Sequence, residues 1–196
     1  MIYPASYDTV ILQNSTWERS LRATDNRQTL TSVTIASGLV TFIKPCHSLL
    51  AGDKVVLTVD SGATVPCGLN INSVYFVIAS GLTGDNFKIA TTISGSQITV
   101  NGTASGQYYV AEPVNLTGYV IDADLIRPDD NVQVASFICT SPAPSDSEIL
   151  MAMSPSASFG IEEGEYNYDL SLTSASGERY YWLSGVATVQ RTYSRN

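Results

Sequence analysis

The most regular pattern in the chain lies near its C-terminus, where apolar and polar residues alternate. In the segment EYNYDLSLT, residues 165–173, two tyrosines and two leucines fall on one side and polar residues on the other. A repeat of two residues is typical of a β-strand with one buried face. The next four residues, SASG, predict a turn, and RYYWLSGVATVQ, residues 179–190, predicts the strand that completes a β-hairpin.

Shorter runs of apolar and β-branched residues, bounded by Gly, Pro, Asn or Asp, recur along the rest of the chain. The second run is predicted to end in a polar turn at 25–28. A helix is plausible only at 145–153 or 154–160, and Pro155 should limit it to a turn or two. We therefore predict an all-β fold whose strands before the hairpin are 7–12, 17–22, 39–43, 54–59, 74–79, 87–90, 97–100 and 114–126.

A shift in composition divides the chain. Residues 32–111 are rich in Gly, Ser and Thr, and their acidic residues are Asp53, Asp60 and Asp85, whereas the flanks are richer in acid, arginine and tyrosine. Hairpin tips tolerate insertions because the chain enters and leaves them at nearby points. The shift predicts a small β domain, 32–111, inserted into a discontinuous β domain made of 1–31 and 112–196.

The net charge of −8 and the lack of any basic run narrow the range of partners. Nucleic-acid binding requires Lys and Arg to replace counterions on phosphates, so no nucleic-acid partner is expected. A negatively charged membrane surface would also repel the chain. The first ten residues lack the charged and apolar stretches of a signal peptide, and no apolar run approaches the ~20 residues that span a bilayer.

The segment CHSLLAGDKVVLTVD, residues 46–60, places the chain's one histidine beside a cysteine. Successive strand residues point to opposite faces, so the adjacency of Cys46 and His47 argues against a catalytic pair. Three cysteines without a C-x-x-C spacing do not form a zinc site. Cys46 and Cys67 could meet across two strands, but burial as small apolar residues is favoured for these two and for Cys139. No catalytic residue, metal site or cofactor is predicted.

Carboxylates and aromatic residues give further candidate sites. Asp122 and Asp124 would share one face of a strand, and other acids cluster at 129–130 and 162–165. We interpret them as solvated faces, with a calcium site or a glycosidase pair as alternatives. Tyr180 and Trp182 could be interface anchors or a sugar platform. Alternation would let either Tyr181 or Trp182 enter the core while the other faces outward.

The outer segments resemble the N-terminal domain of upper baseplate proteins of tailed phages. That domain opens with a Y-D-hydrophobic-x-L-Q strand, continues with hydrophobic-L-T-G-Y, and closes with G-x-Y-x-Y-D-L-x-L-T-x-x-S-G and an L-x-G strand. The corresponding segments here are 7–13, 114–119, 164–177 and 181–185. The resemblance covers about residues 1–31 and 112–196.

The inserted segment resembles a small β module common in phage tail and fibre proteins. Its pattern of H-x-L-x-A-G-D-x-V, P-x-G-L, Y-x-V and F-x-I-A-T is matched by His47 and residues 49–57, 66–69, 75–77 and 87–91. The chain departs from the module at Leu50, where a small or polar residue is usual, and at Cys46 and Cys67.

Together the resemblances imply an immunoglobulin-like β-sandwich, discontinuous in sequence, with an inserted small β-sandwich or barrel-like domain. They imply a non-enzymatic structural component of a tailed-phage virion, a connector or fibre anchor in the tail, baseplate or neck, assembled in the cytoplasm of a bacterial host. Expected partners are other virion proteins and copies of the chain itself, as trimers or hexamers. The alternatives are a capsid cement or head-fibre protein, a host receptor- or glycan-binding module and, last, a glycan depolymerase.

Overall fold

The computed structural model describes residues 5–192, of which Ala5 and Ser6 are described by their backbone alone. The chain divides into two compact units, the first formed by 1–23 and 115–196 and the second by 24–114. The strands are β1 (Ala5–Ser6), β2 (Thr9–Leu12), β3 (Trp17–Arg22), β4 (Thr24–Thr29), β5 (Ser32–Ala36), β6 (Leu39–Ile43), β7 (Lys54–Val59), β8 (Val74–Val77), β9 (Asn86–Phe87), β10 (Ile89–Ala90), β11 (Tyr108–Pro113), β12 (Val120–Ile126), β13 (Gln133–Ser136), β14 (Ile138–Thr140), β15 (Glu148–Met153), β16 (Gly164–Thr173) and β17 (Arg179–Gln190). The all-β prediction is confirmed, since the described residues otherwise contain only the helix α1 (Pro155–Phe159) and one 3-10 turn (Pro144–Asp146).

The larger sheet of the first unit is built around the predicted hairpin. β16 pairs antiparallel with β17 on one side and with β12 on the other, and β13 extends the sheet beyond β12. β1 and β2 run parallel to β17 along its other edge. The two tyrosines and two leucines that alternate in β16 are all buried, as predicted.

The smaller sheet of the first unit has the order β14–β15–β3. Phe137 marks the point where the chain passes from one sheet to the other, because β13 pairs with β12 and β14 pairs with β15. Its ring centroid lies 5.3 Å from that of Trp17 and 5.9 Å from that of Tyr168. The aromatic side chains of both sheets therefore meet in one core, beside Ile149, Met151 and Met153.

The second unit also has two sheets, β10–β8–β7–β11–β4 and β5–β6–β9. Residues 86–90 supply β9 to one sheet and β10 to the other. Phe42 and Phe87 stack with ring centroids 5.2 Å apart in a core that also buries Tyr75 and Tyr108. β6 and β7 have the bounds predicted for them.

The limits of the second unit differ from the predicted 32–111, because β4 pairs with β11. The predicted turn at 25–28 is wrong, since these residues belong to β4. Its polar residues reflect an exposed sheet edge rather than a turn. Asn26 has φ +51° beside a register shift between Val110 and Glu112, so a bulge also disrupts the regular strand pattern.

The helical alternatives are resolved in favour of the second segment. Residues 148–153 form β15, while α1 begins at Pro155. Proline is tolerated there because the first helical N–H has no partner within the helix. The Ser154 hydroxyl accepts a hydrogen bond from the Ala157 N–H at 3.2 Å and caps the helix. Elsewhere, the predicted strand at 97–100 is reduced to an isolated bridge between Leu39 and Thr99, and that at 114–126 begins only at Val120.

Candidate interaction face of the first unit

One face of the larger sheet packs on the core of the first unit, and the other, here called the open face, points away from it. Residues directly opposite each other on paired strands project to the same side. Leu170 and Leu183 form such a pair on the buried side, so the residues that alternate with them point outward. The open face carries Val10, Leu12, Asp122, Asp124, Ile126, Asn167, Asp169, Tyr181, Ser184, Val186 and Thr188.

Apolar side chains of the open face lie toward β2, at the edge of the sheet. Val10 is 49% exposed and Leu12 is 44% exposed. Thr188 of β17 stands directly opposite Val10, and Val186 is partly exposed two residues earlier. No local pattern predicts this apolar strip of Val10, Leu12 and Val186, because only the parallel pairing of β2 with β17 brings its residues together.

Two carboxylates face each other at the centre of the open face. Asp124 and Asp169 are directly opposite across β12 and β16, with Ser184 next to Asp169 on β17. The Asp124 carboxylate accepts hydrogen bonds from Ser136 Oγ at 2.8 Å and Gln133 Nε2 at 3.0 Å. Burial raises the pKa of Asp169, Arg179 opposes the rise, and Asp124 adds to it. The predicted shared face of Asp122 and Asp124 is confirmed by the register.

A hollow of about 450 Å³ lies beside Asp169, bordered by Asp8, Asn131, Asn167 and Val186. Asp8 Oδ1 accepts a hydrogen bond from the Val186 N–H at 2.9 Å. This side-chain hydrogen bond replaces a backbone hydrogen bond between β1 and β2, where the regular parallel pairing with β17 is interrupted. Ile126 and Val186 also border the hollow, so its walls combine polar and apolar side chains of the sheet.

Tyr168 and Gly185 contact the N-terminal segment at Tyr7, which forms the edge of the sheet next to the hollow. The Tyr168 hydroxyl donates to the Tyr7 carbonyl oxygen at 2.5 Å, and burial raises its pKa to about 12. Gly185 is opposite Tyr168, and a Cβ there would overlap the Tyr7 carbonyl. The Y-x-Y-D segment thus has a structural role on its buried side and places Asp169 on the open face.

Tyr180 and Trp182, the predicted contact residues, lie toward the turn end of β17. Leu170 is opposite Leu183 and Ser171 is opposite Tyr181, so Trp182 is the extra residue of a β-bulge. Neither Tyr181 nor Trp182 is buried, and the expectation that one of them enters the core is wrong. The bulge shifts the alternation, which gives the core position to Leu183.

The side chains around the bulge are held by polar contacts. The Tyr180 hydroxyl donates to a Glu178 carboxylate oxygen at 2.8 Å. The Arg179 guanidinium lies 5.3 Å from the centroid of the Tyr181 ring and donates to Ser171 Oγ at 2.8 Å. Tyr180 is 42% exposed and Tyr181 is 50% exposed. These rings are therefore orientated at the surface and accessible there.

In the second unit the histidine makes contacts within the fold, whereas the two cysteines are exposed. His47 Nδ1 accepts a hydrogen bond from the Leu49 N–H at 3.3 Å, and its ring meets Phe87 edge-on at 5.5 Å. Cys46 and Cys67 are both free and exposed, so neither the pairing alternative nor the predicted burial holds for them. The Asp53 carboxylate accepts the Leu50 N–H at 2.7 Å and closes the turn that precedes β7.

Cys139, the third free cysteine, is half-buried in the first unit. Burial raises the pKa of its thiol to about 11, and Asp122 and Asp124 contribute to the rise. Within residues 5–192, no three His, Cys, Asp or Glu side chains are arranged to hold a metal ion. In the same residues, no helix is long and apolar enough to cross a membrane.

No protein-family model matches the chain, and no curated protein is similar to it in sequence. The open face, the aromatic end of β17 and the strand edges of the two units are the surfaces that a partner could contact.

Proposed function

We propose that this chain is a structural component of a tailed-phage virion that acts by protein–protein assembly in the tail, baseplate or neck. The observation that carries the proposal is the open face of the first unit. Its longest strand, β17, has twelve residues and a length of about 40 Å. A sheet face of this extent offers a partner a broad surface whose strands are held together by backbone hydrogen bonds.

The composition of the open face supports a protein partner. Protein interfaces combine an apolar centre with polar groups that form hydrogen bonds at its margin. The strip of Val10, Leu12 and Val186 supplies apolar area, and Asp169, Asn167 and Ser184 supply hydrogen-bonding groups next to it. Docking on the strip would bury apolar surface, and the polar row would select the register of the partner.

The architecture supports the assignment of each unit to a class of β-sandwich. We assign the first unit to the immunoglobulin-like β-sandwiches, because two mainly antiparallel sheets enclose a single core and one strand segment passes between them at Phe137. We assign the second unit to the small β-sandwiches, because its two sheets enclose the Phe42–Phe87 core. Both assignments agree with the modules that the sequence resembles.

In the proposed role the partners are other virion proteins and further copies of this chain, in trimeric or hexameric arrangements. Assembly takes place in the cytoplasm of a bacterial host, and the final location is the virion. The role requires no catalysis and no cofactor. The net charge of −8 would help to keep unassembled copies soluble.

The proposal is tested on purified phage particles by mass spectrometry, with the chain located in a density map of the virion. The chain is expected in the particle at a stoichiometry that matches a tail or neck symmetry. Val186→Glu would place a charge in the apolar strip and should reduce incorporation at least about tenfold. Thr29→Glu, on the exposed edge strand of the second unit, is the matched control and should incorporate normally. Absence of the chain from particles would disprove the role.

A host receptor- or glycan-binding role is the second candidate, and the aromatic end of β17 favours it. Exposed aromatic rings beside a carboxylate and a guanidinium suit the stacking and hydrogen bonding of a sugar. Glycan-array binding by the purified chain, lost on Trp182→Ala and kept on Tyr109→Ala in the second unit, would favour this role. If the unmodified chain binds neither glycan arrays nor host envelopes, the result would favour the assembly role.

A further inference from the structure

The edge strand β5 of the second unit is paired on one side only. It forms a hairpin with β6 in the register Val33–Phe42, Thr34–Thr41 and Ile35–Val40. The connection has two residues, Ser37 and Gly38, with φ of +51° and +76°. Positive φ at both positions is typical of a type I′ turn, which fits the twist of a tight hairpin. Among the described residues, no strand pairs with the other side of β5.

The hairpin geometry determines which backbone N–H and C=O groups of β5 do not form hydrogen bonds with β6. In a two-residue hairpin, the residues that flank the turn exchange both backbone hydrogen bonds, and hydrogen-bonded pairs then alternate along the strands. Ala36 and Thr34 therefore bond to β6. Val33 and Ile35 direct their N–H and C=O groups away from the hairpin, and no hydrogen bond within residues 5–192 engages them.

β5 also lacks the features that usually protect an edge. Edge strands avoid unwanted pairing by charged side chains, prolines and bulges. β4, the edge of the other sheet, has Asp25, Arg27 and a bulge next to Asn26. β3, an edge in the first unit, has a glutamate and two arginines. By contrast, no charged residue lies between Arg27 and Lys44, a stretch that includes all of β5 and β6.

We propose that β5 pairs antiparallel with β5 of a second copy of this chain. The pairing would join two β5–β6–β9 sheets into one six-stranded sheet across a twofold axis. Val33 of each copy would exchange backbone hydrogen bonds with Ile35 of the second copy. Thr34 would stand opposite Thr34 of the second copy, and such threonine pairs are favourable between strands.

The charge distribution argues for a second copy as the occupant of this edge. Two copies that each carry a net charge of −8 repel one another, and the repulsion is least where no charged side chain is present. Val33 and Ile35 already pack on the core of the second unit, so pairing leaves those side chains in place. A strand that pairs with its own twofold mate matches it in length and in side chains.

The inference rests on the assembly role proposed above, but it uses the second unit rather than the open face. A twofold contact fits a hexamer made of three dimers, whereas a trimer would need another interface. A monomeric chain that still enters virions would disprove the β5 pairing alone. A dimer that is absent from virions would disprove the virion role alone.

The test is light scattering of the full-length chain after size-exclusion chromatography. The unmodified chain is expected to form dimers or larger even-numbered assemblies. Thr34→Lys and Thr34→Glu each place like charges opposite one another and should weaken self-association at least about tenfold. An equimolar mixture of the two variants should restore association, because unlike charges then face each other. Thr29→Lys on β4 is the control and should associate like the unmodified chain.

Amide hydrogen exchange provides a second measurement on the unmodified chain, which covers the case of a variant that fails to fold. Exchange at Val33 and Ile35 should slow as protein concentration rises, while exchange on β4 should not change. A monomeric unmodified chain, a dimer that survives both Thr34 variants, or concentration-independent exchange at Val33 and Ile35 would each overturn the proposal. If the unmodified chain is monomeric and β5 pairs with a strand of another protein, the proposal is also overturned.

Discussion

At the scale of single residues, the contact of Gly185 with the chain at Tyr7 sets a sharp constraint. The Tyr7 N–H donates to the Ser184 carbonyl at 3.0 Å, and the Tyr7 carbonyl accepts from Tyr168, so the N-terminal strand lies directly over Gly185. No side chain fits between the two backbones. Glycine is required here by close approach, since its φ is not in the positive region.

Gly185→Ala should lower the free energy of unfolding by about 3 kcal/mol, because the new Cβ forces the two backbones apart. The measurement is equilibrium unfolding in urea. Gly160→Ala is the control, since a Cβ at Gly160 meets no atom within 4 Å, and its cost should stay within about 0.5 kcal/mol. Equal stability of the two variants would contradict the close approach.

Tyr168→Phe should cost about 1–2 kcal/mol, because the Tyr7 carbonyl loses its buried donor. It should also change the response to alkaline pH. Burial raises the pKa of Tyr168 from about 10 to about 12, so the unfolded chain releases this proton first and stability falls between those values as pH rises. The Phe variant should lack the part of this loss of stability that Tyr168 causes.

Cys139, whose pKa is raised to about 11, should cause a separate loss of stability as pH rises, and Cys139→Ala should remove it. Urea unfolding at pH 8 and 11 checks both.

At the scale of elements, hydrophobic pattern identifies the regular strands and fails where a local irregularity intervenes. The hairpin of β16 and β17 was predicted because its alternation is unbroken through the whole of β16. The fate of Tyr181 and Trp182 was not predictable, because one bulge residue shifts the alternation for the rest of the strand. The composition of residues 25–28 predicts a turn rather than β4, because an exposed edge strand with a bulge has the composition of a turn.

The helix α1 shows how one capping residue defines a short element. Ser154→Ala should destabilise the first unit by about 0.5–1 kcal/mol, because the Ala157 N–H loses the Ser154 hydroxyl and keeps only the Ser154 carbonyl oxygen as an acceptor. Ser154→Asp keeps an acceptor at the same position and should retain the stability of the unmodified chain. Thermal unfolding followed by circular dichroism separates the two, and an equal loss in both variants would exclude a capping role.

At the scale of the whole molecule, the insertion point is defined by strand pairing. Thr24 and Pro113 are directly opposite each other on β4 and β11, so the chain enters and leaves the second unit on neighbouring strands. The predicted boundaries fell inside this unit because the composition of β4 resembles that of the flanking segments. The pairing of distant segments, rather than their composition, sets where one unit ends.

A short glycine-rich linker that joins Ala23 to Asn115 should leave the first unit folded, because its sheets and core are its own. Both tryptophans, Trp17 and Trp182, lie in this unit, so their fluorescence reports its unfolding. A linker that replaces 32–111 instead would leave β4 without most of β11 and should give a less stable protein. Loss of cooperative unfolding in the first variant would show that the units depend on each other.

The sequence by itself determined the all-β fold, the long hairpin and the presence of two compositionally distinct parts, because alternation and composition are local properties that need no knowledge of distant residues. Tertiary structure decided the apolar strip of Val10 and Val186, the opposed carboxylates of Asp124 and Asp169, and the open edge of β5. Each of these depends on which strand lies beside which, and on their register. Pairing between segments far apart in the chain is set by the packing of the whole core, and no local pattern specifies it.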